Sequence, residues 1–118
     1  MAIKQWQASK TGAAAEQLAK DYLLTQGLSF IEENYRVKLG EIDLIFKDAE
    51  QWVFVEVKYR ETNSHGHAAE MFTMAKKRKL TRAIMCYLQS LDLNCHHTPM
   101  RIDLLAIDGE KINWIKNV

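Results

Sequence analysis

Three charged side chains stand where charge is least welcome. Asp43 lies inside Ile42-Asp43-Leu44-Ile45, and Glu56 and Lys58 interrupt Val53-Phe54-Val55-Glu56-Val57-Lys58. Both stretches read as strands, in which Asp is depleted. Side chains alternate along a strand, so Glu56 and Lys58 share one face while Val53, Val55 and Val57 turn to the other, toward a core. A hairpin pairing that sets Asp43 beside that face would gather two carboxylates and an ammonium at one edge of the sheet. Phosphodiester hydrolysis calls for such a set, because a divalent metal must neutralise phosphate and lower the pKa of an attacking water. Mg²⁺ is a hard, oxygen-seeking ion usually held by one or two carboxylates while it keeps several waters. On this reading Asp43 and Glu56 are ligands to Mg²⁺ or Mn²⁺, with the Val57 carbonyl as a third. Lys58 orients or helps activate the water. Glu16, on a preceding helix, adds an outer ligand or binds a second ion. A solvated strand face, or a structural Glu56–Lys58 salt bridge, is the ordinary alternative for a Glu-x-Lys. Asp43 in the preceding strand weighs against that alternative, but the spacing alone leaves both open.

These residues need elements to carry them. A helix is predicted from Gly12 or Ala13 to Gln26, stopped by Gly27 as a left-handed C-terminal cap. Ala15, Leu18, Ala19, Tyr22 and Leu23 share one face of it, with Glu16 at the margin. Strands are predicted over Leu28–Tyr35, Glu41–Lys47 and Trp52–Tyr59, the last two joined through the short polar Asp48-Ala49-Glu50-Gln51 as an antiparallel hairpin. A second helix is expected from Ala68 to Leu91, with Leu80, Ile84, Tyr87, Leu88 and Leu91 as its apolar stripe. Met71, Met74 and Met85 are expected to fill core or interface gaps along that helix. A loop over Asn94–Pro99 precedes strands at Arg101–Ile107 and Ile112–Ile115. The order is α-β-β-β-α-β with an added edge strand. A strand, a crossover helix and a returning strand imply a mixed sheet flanked by helices, an α/β fold with one short parallel element.

The bulk properties fit one domain. At 118 residues, with 47% hydrophobic and 26% charged content, the chain can bury a core without staples. No repeat or low-complexity stretch divides it. The N-terminus has no apolar run of signal-peptide type, and nothing reaches the roughly 18 apolar residues that span a bilayer. Two cysteines, Cys86 and Cys95, stand outside any CxxC arrangement, so a reduced, cytoplasmic protein without a membrane partner is expected. Net charge is only +1, yet residues 61–118 carry eight Lys or Arg against six Asp or Glu. Much of that excess lies in Lys76-Lys77-Arg78-Lys79 and Arg82, which makes a local basic patch.

Within the patch, Lys76, Lys79 and Arg82 at three-residue spacing are the candidates for phosphate contacts, joined by Arg36 and Arg60 flanking the acidic strands. Asp103, in Ile102-Asp103-Leu104-Leu105, is expected to pair with Arg101 on its own face. His65 and His67 bracket Gly66 in a loop beyond Lys58, and a surface loop is the expected role. Cys95-His96-His97 lacks a second ligand pair spaced for zinc.

Gly40-Glu41-Ile42-Asp43-Leu44-Ile45 and Val53-Phe54-Val55-Glu56-Val57-Lys58-Tyr59-Arg60 resemble the signature of the YraN-like family of small bacterial proteins. The resemblance spans nearly the whole chain. It takes in Gly12-x-x-x-Glu16-x-x-Ala19, Asn34-Tyr35-Arg36, the Lys-rich second helix and Arg101-Ile102-Asp103, and departs at His65-Gly66, where the family has Phe-Gly. The family looks like a branch of the PD-(D/E)xK, or restriction-endonuclease-like, superfamily. Its pattern is similar to that of archaeal Holliday junction resolvases. The resemblance implies an αβββαβ core with Glu16, Asp43, Glu56 and Lys58 as the catalytic set. It also implies an endonuclease acting on DNA, branched or damaged. The near-neutral charge argues for modest affinity or for a homodimer that pools two basic patches, and a dimer would suit a branched substrate by resemblance to the resolvases. Two other functions remain consistent with the sequence: a nucleic-acid-binding module with weak, lost or partner-dependent catalysis, and a structural or protein-interaction domain.

Overall fold

A computed structural model describes residues 12–61 and 66–118; His65 falls outside them. Helix α1 (Gly12–Thr25) opens on Ala13-Ala14-Ala15, the strongest helix former in a row. It ends where Gly27 takes φ +93°, a conformation open to glycine without a Cβ penalty. Ala15, Ala19 and Leu23, four apart, are buried; Leu18 and Tyr22 flank them, half-buried.

Three strands follow: β1 (Ser29–Val37), β2 (Gly40–Asp48) and β3 (Gln51–Arg60), each antiparallel to the one before. The expected hairpin is β2–β3, closed by Ala49-Glu50 with Ala49 at φ +55°. Its ladder runs from Asp48↔Gln51 to Leu44↔Val55.

The second helix departs from expectation. A continuous helix from Ala68 to Leu91 is replaced by a single 3₁₀ turn (Ala68–Met71), a break, and α2 (Met74–Ser90). Thr73 causes the new start: its backbone is extended and its side chain accepts the Lys76 N–H at 3.3 Å. A threonine hydroxyl offers the backbone an alternative to the helical bond, and so serves as an N-cap. Leu91 is the C-cap and 43% exposed, and Ala83 joins Leu80, Ile84, Tyr87 and Leu88 on the buried face. Met74 and Met85 are exposed, so neither fills a gap in the core of this chain.

Strand β4 (Met100–Asp108) returns parallel to β3, and β5 (Lys111–Ile115) pairs antiparallel with β4. The sheet order is β1-β2-β3-β4-β5. The architecture is the anticipated α/β fold, a mixed sheet with an αβββαβ order and an added edge strand. Helix α1 packs on one face over Leu44, Phe46, Val53, Val55, Val57, Leu105 and Ile107. Helix α2 packs on the other over Ile42, Ile45 and Phe54. The two faces of the sheet thus build two cores, each sealed by one helix, with the alternation along β2 broken between Ile42 and Ile45.

Asp103 is fully buried and serves as a structural clamp. It accepts from Arg101 Nε at 3.0 Å, Trp114 Nε1 at 2.9 Å and the Asn117 N–H at 3.0 Å, which ties the chain after β5 to the sheet. Among the described residues, no helix is long and apolar enough to cross a membrane.

Candidate active site

The β2–β3 ladder stops one residue short of Asp43. There, in place of a backbone carbonyl, Asp43 Oδ2 accepts the Val57 N–H at 2.9 Å. A carboxylate has been inserted into the seam where two strands part, so its surroundings come from both faces of the sheet. In extended backbone the N–H and C=O of one residue project to the same side, so the Val57 carbonyl faces this seam too.

Helix α1 supplies Glu16 from one face. Its carboxyl is in hydrogen-bonding contact with Asp43 and with the Asn34 side chain. Glu56 and Lys58 lie two and four residues beyond Phe54, on the same face of β3, and therefore look toward α2. Lys58 Nζ lies 3.0 Å from Glu56 Oε2, with both side chains largely covered. Glu56 in turn contacts the Asp43 carboxyl. The four residues singled out from sequence form one chain of contacts: Glu16, Asp43, Glu56, Lys58.

Crowding changes how the acids hold protons. Burial, then the negative charge of Glu56, pushes Asp43 from 3.8 up to about 7, against the pull of the Val57 N–H. Burial, then Asp43 and Glu41, pushes Glu16 from 4.5 to about 7, with the Asn34 hydrogen bond opposing. Carboxyls 7% exposed, as Asp43 is, and close to other carboxyls ionise reluctantly because each new charge is poorly solvated and repelled.

A divalent ion fits this donor chemistry. The groups are hard oxygen donors, and the repulsion that holds protons on Asp43 and Glu16 is what a cation relieves. The acids meet pairwise, however: among the described residues, no three His, Cys, Asp or Glu side chains already form a cage. An ion held by one or two carboxylates and several waters does not need one.

Beside Glu56 and Lys58 opens a cleft of about 660 Å³. One wall is the β1–β2 turn with its flanks, Arg36 to Glu41; the other is the first turns of α2, through Lys76 and Lys79. Three of the five basic residues expected to meet phosphate are thus beside the acids. The other two are not. Arg82 is exposed but outside the cleft, because a three-residue step on a helix of 3.6 residues per turn drifts by about 60°, and two steps carry it away from Lys76. Arg60 ends β3 opposite Asp108, beyond the cleft. His67 belongs to a separate hollow with Glu70 and Asp108.

Sequence reasoning passed over Asn34, Glu41, Lys38 and Leu39. Glu41 could have been found, being two residues from Asp43 in a strand. Asn34 gave no local sign of its left-handed backbone (φ +53°) or of its bond to Glu16.

With the geometry in place, comparison with known proteins adds a lineage. The sequence model of "Uncharacterised protein family UPF0102" matches residues 15–107. A UPF0102 protein of Vibrio vulnificus is 51% identical over 108 residues, covering 90% of this chain and 88% of the relative. One from Aliivibrio salmonicida is 48% identical over the same coverage. Another, from Vibrio cholerae, is 43% identical over 104 residues, 86% of this chain and 85% of the relative.

Proposed function

The chain belongs to the uncharacterised protein family UPF0102, the family its motifs resembled, and from that premise we propose that it is a metal-dependent endonuclease hydrolysing DNA. One observation carries the reading: Glu16, Asp43, Glu56 and Lys58 join in one chain of contacts that opens into a cleft walled by Arg36, Lys38, Lys76 and Lys79. Acids alone would repel a phosphate. Acids at the floor of a basic cleft draw the phosphate in and hold the cation that hydrolysis needs.

Asp43 and Glu56 would hold Mg²⁺ or Mn²⁺, with Glu16 and the Val57 carbonyl as further oxygen donors. When bound, the ion supplies charge neutralisation and a more acidic water. Asp43 is fixed by the Val57 N–H, so its carboxylate cannot swing out of the seam. Lys58, held by Glu56, places an N–H donor where the water and the phosphate oxygens meet, and it offsets charge that builds on phosphorus. The water oxygen bonds to phosphorus as an ester P–O bond breaks, and the water's proton is lost while the departing oxygen gains one. Arg36, Lys38, Lys76 and Lys79 fix the backbone on either side. A branched or damaged DNA substrate and a homodimer belong to the same proposal.

A second reading, a nucleic-acid-binding module with weak or partner-dependent catalysis, draws on the pairwise rather than caged arrangement of the acids. One assay separates the two. Labelled single-stranded, duplex, flap and four-way-junction DNA, and RNA, are incubated with Mg²⁺ or Mn²⁺, with EDTA as control. The endonuclease gives metal-dependent cleavage that both Asp43→Ala and Lys58→Ala reduce at least about 100-fold. Salt-sensitive binding without cleavage of any substrate would replace it with the binding module.

A further inference from the structure

One large apolar side chain on the cleft wall is mostly exposed. Leu39 is 53% exposed, yet it lines the cleft beside Glu56 and Lys58. It forms the β1–β2 turn with Lys38, between the paired residues Val37 and Gly40, so a two-residue turn carries it. Its support is firm. A Cβ on Gly40 would stand 2.4 Å from the Lys79 carbonyl oxygen and 3.1 Å from its carbon, which means that the strand directly after the turn rests on the backbone of α2. The turn cannot recede without moving that helix.

An apolar side chain in such a place stabilises the fold little, because most of its surface stays in water. Cations outnumber acids around it: Arg36, paired with Glu41 at 2.8 Å, and Lys38 on its own wall, Lys76 and Lys79 across the cleft, and Lys58 beside Glu56. Continuous duplex DNA offers a cleft of this kind sugar and phosphate, with its base faces hidden in the stack. Where the stack is interrupted, base faces are open to an apolar side chain, and the surrounding phosphates suit the cations. We infer that Leu39 is a specificity-determining wedge, which enters an interrupted base stack while the basic walls hold the flanking phosphates. The inference rests on the nuclease reading for its choice of partner, and it concerns recognition rather than cleavage.

The test is therefore made in EDTA, where no cleavage occurs. Binding is followed by fluorescence anisotropy to two duplexes of one sequence, one intact and one with a short central gap bordered by 2-aminopurine. Leu39→Ala weakens binding to the gapped duplex roughly tenfold and to the intact duplex less than about twofold. It also abolishes the rise in 2-aminopurine fluorescence that the wild type gives, and Leu39→Phe restores both. Lys38→Ala weakens both duplexes alike and lowers the salt slope by about 1, whereas Leu39→Ala leaves that slope unchanged. Equal losses on the two duplexes for Leu39→Ala, or none on either, would overturn the wedge. Failure of the nuclease reading looks different: no cleavage with Mg²⁺ or Mn²⁺, with the preference for the gapped duplex in EDTA intact.

Discussion

Asp43 carries the largest conflict between stability and chemistry. Its folded-state pKa of about 7 stands well above the usual carboxylate value. Between about pH 4 and pH 7 the folded protein therefore holds a proton that the unfolded chain has released. Proton uptake then favours the folded state, so this stabilisation is complete below about pH 4 and is lost as pH rises through 7. Asp43→Asn keeps an oxygen for the Val57 N–H and has no charge to bury. Its expected effect is a gain on the order of 2 kcal/mol at pH 8 that shrinks toward zero at pH 4.5, read from urea unfolding. A gain of the same size at both pH values would mean that ionisation is not the cause. A divalent ion bound as proposed would act on the same charge. At about ten times its dissociation constant, Mg²⁺ should add about 1.4 kcal/mol to the wild type at pH 8 and far less to Asp43→Asn.

At the scale of elements, the site depends on where strands stop and how close a helix can come. The β2–β3 ladder ends at Leu44↔Val55, and that ending leaves the Val57 N–H for a side chain. Helix α2 approaches the β1–β2 hairpin as closely as Gly40 allows, with the Lys79 carbonyl where a Cβ would be. Gly40→Ala must push backbone against backbone, since no flexible side chain can give way. Overpacking of this kind costs about 1–3 kcal/mol. The urea midpoint should fall accordingly, and DNA binding should weaken because the two cleft walls are displaced together. A variant with wild-type stability and binding would show that helix and hairpin are not in register-setting contact.

For the whole molecule, net charge misleads and placement informs. A chain of charge +1 has no long-range pull on DNA, yet five cations, Arg36, Lys38, Lys58, Lys76 and Lys79, line one cleft. Each phosphate contact on duplex DNA contributes about −0.9 to the slope of log K against log salt concentration. Lys76→Ala with Lys79→Ala should flatten that slope by about 2, whereas Arg60→Ala and Arg82→Ala should leave it unchanged. Filter binding across a salt series distinguishes the pairs, and a change with Arg82→Ala would extend the interface along α2.

The sequence by itself determined the fold and the acidic core of the site. Helical and strand periodicities differ, and charges within β-rich stretches are visible as exceptions, so Asp43, Glu56 and Lys58 and their alternation were legible before any coordinates. Glu16 was legible as a helix-margin acid with a matching family pattern. Where a local side-chain bond competed, the reading failed, as at Thr73, whose hydroxyl starts a new helix inside the span expected to be one helix from Ala68. Only the tertiary structure decided which cations face the acids. Lys76 and Arg82 are separated by helix rotation, while Lys38 and Leu39 reach the cleft through a hairpin and a helix that are distant in sequence. Spacing along the chain fixes which way a side chain leaves its own element. What that side chain meets is set by the packing of other elements, here the contact of Gly40 with α2 and the parting of β2 from β3 around a single carboxylate.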